Sequence, residues 1–425
     1  MTVLLFSLGI FLFLGIPIAY SLGLSSFLYF VFCHPELLPI LPQRLYAGMD
    51  SYAMIALPLF VFMGLLMNEG GITGRLIDFS LIFVGRLRGG LGLVNVLASM
   101  IFGGISGSSV SDTASIGAVL IPEMRKKGYT TEFASGITVA SSTMGMIIPP
   151  SVPMVIYAFV AEESVGKLFL GGVFPGIIIG LLMLIITLAI SLWRKYPKEE
   201  VKLTYREILN RIQRAILALI MPIFVVGSVV AGMATATESA GIGAMYALFI
   251  GYFVFRGFKL KTIPTLLKTS IATSAQVMMI IALSKLYVWI LAIEHIPQTV
   301  ASFVSGLNLP VFVILLIIVA IILITGTFVD VSPAILLLTP VFLPAVTALG
   351  ISSIQFGVIL ITGLAIGLIT PPVGMCLNVA SAISKLGIGT IFRAAVPFSI
   401  ANVTTLVLIT LIPQISLWLP SILME

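Results

Sequence analysis

Four short stretches concentrate glycine, proline and hydroxyl residues in a chain that is otherwise strongly apolar. SGSSVSD (106–112) and TGTFVD (325–330) place small and hydroxyl residues before an acid, while GMIIPPS (145–151) and GLITPPV (367–373) place glycine before a Pro-Pro pair. Glycine lets backbone carbonyls turn inward, and proline removes an N–H donor that a carbonyl one turn earlier would use. Together with neutral hydroxyls, such carbonyls suit a weakly held monovalent cation such as Na⁺.

The same breaks create helix N-termini, whose free N–H groups favour an anion. A charge at the bilayer centre costs about 2.5–3.5 kcal/mol on insertion scales, so the buried acids Asp112 and Asp330 require a reason. We expect Asp330 to act near substrate or ion, whereas Asp112 fits helix capping equally well. The predicted substrate-binding residues are Asp330, Ser109, Ser151, Pro150 and Pro372.

The composition identifies a polytopic membrane protein. Of 425 residues, 59% are hydrophobic and only 9% charged, against about 25% charged in soluble domains. The low charge excludes nucleic-acid binding as the reason for a pI of 9.3. Two cysteines exclude a disulfide scaffold or a Cys-based metal site, and two histidines leave little room for a His-rich centre.

Positive charges predict the topology, because basic residues concentrate on the cytoplasmic side. Of the 22 Lys and Arg residues, only Arg44, Lys167 and Lys285 fall elsewhere when the basic clusters are placed in the cytoplasm. Two segments then begin and end on one side of the membrane, which predicts re-entrant helical hairpins at about 89–124, from inside, and about 308–350, from outside. Pro-broken transmembrane helices follow at about 130–161 and 353–384.

The predicted fold is therefore all-α, with two inverted-topology repeats of the kind found in secondary transporters. The first repeat spans 1–193, a cytoplasmic linker spans 194–214, and the second repeat spans 215–425. Residues 2–32 form either one long helix or two short ones hinged at 15–17. Charges within 71–87 and 293–306 predict that these segments lie along the membrane interface.

These motifs, with LPLFVFMG (57–64) and MCLNVA (375–380), resemble the large membrane subunit of TRAP transporters, the DctM family, over nearly the whole chain. The resemblance is closest to sialic-acid members. It implies a protein of the ion-transporter superfamily in the bacterial inner membrane, with Na⁺-coupled import of a sialic acid or C4-dicarboxylate by an elevator motion. It also implies two partners: a small membrane subunit of four helices and a periplasmic substrate-binding protein.

The resemblance also implies the Na⁺ ligands, which that family takes from the hairpin bend and helix break of each half. Carried over to this chain, the first site comprises Ser106, Ser108, Gly145, Ile148 and Pro149. The second site comprises Gly326, Thr327, Gly367, Thr370 and Pro371.

Three alternatives remain open at this point. Glycine and serine also pack membrane helices closely, and Pro kinks are common there. The chain could be a stand-alone Na⁺-coupled carboxylate transporter or a Na⁺/H⁺ antiporter. An intramembrane enzyme is disfavoured, because both histidines fall in predicted external loops and the sequence offers no Ser/His or metal constellation.

Overall fold

The computed structural model describes residues 1–50, 52–198, 204–306 and 309–424. Over these ranges the chain is helical, and the only β-type pairing joins Arg88 to Lys198. The all-α prediction is therefore confirmed. Residues 199–203 of the predicted linker and residue 308 of the second predicted hairpin lie outside the described residues.

The described N-terminal fifth contains five α-helices, and proline or glycine lies at three of the four breaks between them. Gly15, at a φ of +77°, lies between the first two helices, so the two-helix alternative for residues 2–32 is correct. The fifth helix turns 68° from the fourth. The five are α1 (Thr2–Phe13), α2 (Ile18–Cys33), α3 (Leu41–Met49), α4 (Ala56–Glu69) and α5 (Ile72–Val84).

The next part consists of a helical hairpin, an interrupted helix and one long helix. The breaks fall where the sequence concentrates glycine, serine and proline, as predicted. The helices are α6 (Gly90–Ser106), α7 (Ser109–Lys126), α8 (Thr131–Ser142), α9 (Met144–Ile147), α10 (Val152–Ala161) and α11 (Val165–Trp193).

The second half begins with α12 (Tyr205–Val230), α13 (Ala236–Phe249), α14 (Ile263–Ile293) and α15 (Ile296–Gly306). It then repeats the order of hairpin, broken helix and long helix. These helices are α16 (Val311–Phe328), α17 (Val331–Ala348), α18 (Ser353–Gly367), α19 (Met375–Ser384), α20 (Ile388–Leu411) and α21 (Gln414–Leu423). The order of elements thus recurs, while the inverted orientation of the halves stays a prediction.

Within the described ranges, six helices are long and apolar enough to cross a membrane, or up to eight if each strongly bent pair counts as one span. The bent pairs are α4 with α5 and α8–α9 with α10, which turns by 41°. Helices such as α6 and α18 are apolar but shorter than about 20 residues, the length that a full crossing needs. Short helices that meet at breaks therefore lie alongside complete spans.

The hairpins and broken helices of the two halves pack against one another. Helix α7 packs on α19, and α10 packs on α17, so each hairpin is joined to the broken helix of the other half. One large apolar core runs through these elements. A smaller separate cluster joins α1, α2, α3 and the C-terminal end of α14 around Tyr29 and Phe30.

Candidate functional site

Two regions bring a hairpin bend against a helix break. We define the first unit as residues 90–161, containing α6 to α10, and the second unit as residues 311–384, containing α16 to α19.

In the first unit, the bend at Gly107 turns the chain between α6 and α7, with a φ of +61° that favours glycine. The Ser106 hydroxyl donates to the Ser108 carbonyl at 3.3 Å. A Cβ placed on Gly145 would lie 3.1 Å from that same Ser108 oxygen, so Gly145 backs directly onto the bend. The structure therefore brings Ser106, Ser108 and Gly145 together.

The helix break of the first unit is tied to the same bend. The Val152 N–H donates to the Gly107 carbonyl at 3.4 Å. A Cβ on Gly104 would lie 3.0 Å from the Pro149 carbonyl and 3.7 Å from the Ile148 side chain. All five residues predicted for the first Na⁺ site thus surround one bend, although Na⁺ binding itself stays a prediction.

The second unit repeats this contact. The Val373 N–H donates to the Thr327 carbonyl at 3.3 Å. Gly326 and Gly367 form the closest backbone approach, because a Cβ on Gly367 would lie 2.3 Å from the Gly326 carbonyl carbon. The Thr370 hydroxyl, on the turn that follows α18, donates to the Ile366 carbonyl at 2.8 Å. Pro371 follows it at the break, so the second predicted Na⁺ set also converges.

A cavity of ≈160 Å³ opens beside the second unit. Asp330 lines it, and its Oδ1 accepts the Val331 N–H at 2.8 Å as the N-cap of α17. Asp330 is exposed, as are Pro372 and Val373 on the facing break. The lining residues are Gly326, Thr327, Phe328, Val329, Asp330, Leu368, Val373, Gly374 and Met375. This cavity places a carboxylate next to backbone groups of a bend and a break.

The helix starts and breaks align the two units more consistently than the sequence motifs do. Ser108 occupies the N-cap position of α7 without a side-chain capping hydrogen bond, and Asp330 occupies that of α17. The Pro-Pro breaks are Pro149-Pro150 and Pro371-Pro372. In both cases the corresponding residues of the two units are 222 positions apart in the chain. Asp330 therefore corresponds to Ser108, and Asp112 corresponds to Ala334. Pairing the two acids by their motifs, as the sequence suggests, does not match the helix caps.

The predicted substrate-binding residues divide between the two units. Ser109, Pro150 and Ser151 are buried in the first unit, and Asp330 and Pro372 are exposed in the second. The Ser151 hydroxyl is the N-cap of α10: it accepts the Met154 N–H at 3.4 Å and donates to the Met146 carbonyl at 2.5 Å. In the described part of the chain, no hydrogen bond or ion pair joins one group to the other, and substrate binding by these five residues stays a prediction.

Asp112 does not cap a helix, so the capping alternative is wrong for it. It lies inside α7 and is 0% exposed. Neither carboxylate oxygen meets hydrogen-bond geometry with a described residue, although the Ser99 hydroxyl lies nearby. The adjacent Ser109 hydroxyl is buried and also lacks a partner. In contrast, Glu238 forms a capping box with Thr235 at the start of α13.

Three asparagines help to fix the site and were not singled out from the sequence. Asn402 on α20 accepts from the Thr143 hydroxyl at 3.0 Å, just before α9, and Asn378 donates to the Val373 carbonyl at 2.8 Å. Asn95 donates to the Thr138 hydroxyl at 2.6 Å. A polar amide inside an apolar helix is the signal that could have revealed them, because such groups need partners in a membrane.

A many-span helical protein with a bend set against a helix break in each half has the architecture of a membrane transporter. The comparisons with known proteins agree. Residues 5–415 match the family described as "Tripartite ATP-independent periplasmic transporter, DctM component". The chain belongs to this family and is the large permease component of a tripartite transporter.

Two relatives illustrate the similarity. The chain is 39% identical over 401 residues to the C4-dicarboxylate TRAP transporter large permease protein DctM of Pseudomonas aeruginosa, covering 94% of each chain. It is 34% identical over 411 residues to the sialic acid TRAP transporter large permease protein SiaM of Vibrio cholerae, covering 97% of this chain and 96% of the relative. Membership makes it a multi-pass protein of the bacterial inner membrane.

A solved structure supports the fold. The crystal structure of the Alcanivorax borkumensis YdaH transporter superposes with a TM-score of 0.61 at 16% identity, covering 91% of this chain and 89% of that one. At this identity the likeness concerns the fold alone.

Proposed function

We propose that this permease imports an organic acid of the sialic-acid or C4-dicarboxylate type by Na⁺ symport. The observation that carries the proposal is the repeated contact of a hairpin bend with a broken helix, Val152 to Gly107 and Val373 to Thr327. Each contact gathers backbone carbonyls and Ser or Thr hydroxyls, which are the ligands that a monovalent cation needs when it loses its water. One Na⁺ binds in each unit in this proposal.

In this proposal the substrate binds between the units, with contributions from Asp330 and from the helix N-termini after Pro150 and Pro372. Helix N-termini offer N–H groups to a carboxylate. The relatives transport C4-dicarboxylates and sialic acid according to their names, and both kinds of compound carry a carboxylate.

Ion gradients supply enough free energy for this import. Two Na⁺ entering with a monoanion move one net charge, worth about 2.3 kcal/mol per 100 mV. A tenfold Na⁺ gradient adds about 1.4 kcal/mol per ion. The total of roughly 5 kcal/mol supports a concentration ratio of several thousandfold.

The partners in this proposal are a small membrane subunit of four helices and a periplasmic binding protein that delivers the acid. The description of the family as tripartite supports two further components. Lipid surrounds the remaining apolar surface of the spans.

Uptake into proteoliposomes tests the proposal. The chain and the small subunit are reconstituted, and labelled sialic acid or succinate is added with and without an inward Na⁺ gradient and the binding protein. Uptake that requires both Na⁺ and the binding protein supports the proposal. Uptake without the binding protein would instead indicate a stand-alone carrier, and Na⁺-independent uptake would refute symport.

Thr370→Val tests the second ion site with little change in shape. We expect the Na⁺ concentration for half-maximal uptake to rise about tenfold, which corresponds to ~1.4 kcal/mol. Thr405→Val is a matched control, because the Thr405 hydroxyl makes the same backbone contact, to the carbonyl four residues earlier, in α20. An equal Na⁺ response in both variants would refute the assignment of Thr370.

We also propose an elevator motion, in which the two units move past the N-terminal helices and α14, braced by α5 and α15. The Lys285 ammonium on α14 lies 4.8 Å from the Phe159 ring centre on α10, so it joins the proposed static and moving parts. Gly48 on α3 also contacts Lys285, but within the proposed static part.

These two contacts allow a matched cross-linking experiment. In a Cys33→Ser background, Lys285→Cys is combined with either Phe159→Cys or Gly48→Cys, and a short bis-thiol reagent is added. Cross-linking to position 159 is expected to stop uptake, whereas cross-linking to position 48 leaves it intact. Uptake that persists after complete cross-linking to position 159 would refute the motion.

A further inference from the structure

A charged cleft lies between α5 and the start of α12, and none of its lining residues belongs to either unit. Its volume is ≈260 Å³. Six polar residues line it: Arg75, Asp78, Glu207, Asn210, Arg211 and Arg214.

Most of these charges already have partners. Arg75 donates to the carbonyls of Gly70 and Gly71 at 3.0 and 2.7 Å. Arg211 lies 3.5 Å from an Asp78 carboxylate oxygen. Glu207 accepts the Thr204 N–H at 2.9 Å as part of a capping box. Both acids of the cleft are therefore engaged by other groups.

Arg214 differs from these residues. It is exposed and, among the residues that the structure describes, forms no hydrogen bond or ion pair. It also lies near enough to Arg75 for the two positive charges to interact. Two guanidinium groups that face one cleft, with one of them unpaired, favour an anion between them.

The position of the cleft indicates which anion. Arg214 is the last charged residue of α12 before the apolar run 215–230, so it marks the level at which this helix enters the membrane. Helix α5 turns 68° from α4 and forms the other wall. The cleft therefore lies at headgroup depth, where basic pockets between helices bind lipid phosphates.

We propose that this cleft binds the phosphate of an anionic phospholipid, with Arg214 as the principal contact and Arg75 as a fixed second charge. A planar guanidinium matches two phosphate oxygens, which a lysine ammonium does not. Free phosphate has the same chemistry, but a membrane anion is concentrated at this depth.

Native mass spectrometry tests the proposal with the purified, delipidated full-length chain. Phosphatidylglycerol is titrated in detergent, with phosphatidylcholine as the neutral comparison. Arg214→Gln is expected to weaken phosphatidylglycerol binding about fivefold, the usual contribution of one basic residue near an anionic surface. Arg214→Lys should retain part of the affinity.

Arg206→Gln is the matched control, because Arg206 is an exposed arginine of the same helix that does not line the cleft. It should bind the lipid like the unchanged chain. Because Arg214 forms no hydrogen bond or ion pair with the described residues, its substitution should change the melting temperature little.

Equal lipid affinity of Arg214→Gln and Arg206→Gln would overturn the site. Inorganic phosphate provides the second arm of the experiment. The lipid assignment is overturned by two results together. Millimolar phosphate would raise the melting temperature of the unchanged chain but not of Arg214→Gln, and phosphatidylglycerol would bind no better than phosphatidylcholine.

Discussion

The first and second units share one backbone plan but differ in how they are enclosed. In the first, Pro149, Pro150 and Ser151 at the break are all buried. In the second, Pro372 and Val373 are exposed beside a cavity. The first unit is sealed by neighbouring helices, whereas the second opens outward.

The units also differ in where they carry an acid. Ser108 is the N-cap residue of the hairpin helix in the first unit, and Asp330 is the N-cap residue in the second, where its carboxylate accepts a backbone N–H. Asp112 lies buried one turn further into α7, at a position where the second unit has Ala334. The two units thus share the glycines, prolines and N-cap positions that set the backbone. They differ in charge, because the N-cap residue is neutral at the closed bend and acidic at the open one.

The largest difference should appear when a methyl group is added to the break glycines. Gly367→Ala would place its Cβ within 2.3–2.5 Å of the Gly326 backbone, which cannot rotate away. We expect the free energy of unfolding to fall by about 3 kcal/mol, which is at the upper end of the usual cost of overpacking. Gly145→Ala should cost less, because its nearest contact is 3.1 Å.

Melting temperature and yield in detergent measure this difference. Gly389→Ala is the control, since a Cβ there would meet nothing within 4 Å. If Gly145→Ala proves as damaging as Gly367→Ala, the two breaks are equally tight and the comparison fails.

The second prediction concerns the acidic cap. Asp330→Asn keeps a good N-cap residue but removes the charge from the open cavity. Folding should be unaffected, whereas uptake should fall at least about tenfold, or ~1.4 kcal/mol, if the carboxylate acts on ion or substrate. Ser108→Asn, the corresponding change in the first unit, alters no charge.

Initial uptake rates in proteoliposomes, with melting temperatures as a check, distinguish the two variants. Normal uptake by Asp330→Asn would reduce Asp330 to a helix cap and remove the functional difference between the bends.

Much of the fold could be predicted because glycine and proline act locally. The breaks at 147–153 and 369–374 follow from Pro-Pro pairs, and the hairpin bends from small residues, so their positions agree with the helices observed. The split of the N-terminal segment was left open, since an apolar run does not reveal whether Gly15 begins a turn.

The site was less predictable because its side chains depend on contacts between distant helices. Matching residue types paired Asp112 with Asp330, but whether a residue caps a helix or lies inside it depends on where the helix starts. Asn402 was missed for the same reason: its partner Thr143 is 259 positions away in the chain.

The smallest predicted effect concerns the acid without a counterpart. Neither Asp112 oxygen makes a hydrogen bond of good geometry to a described residue, and a buried polar group that lacks one is costly. Asp112→Asn keeps the shape of the side chain and removes the ionisable group. We therefore expect the free energy of unfolding to rise by about 1 kcal/mol. The expected sign is opposite to that for most buried substitutions.

Thermal unfolding in detergent at low and high Na⁺ measures this gain, and Asp330→Asn serves as the comparison because its cap is retained. A lower melting temperature for Asp112→Asn that appears only in Na⁺ would show that the Asp112 carboxylate is paired with an ion. The first unit would then hold a charge-compensated cation, and the contrast between a neutral closed bend and an acidic open one would no longer hold.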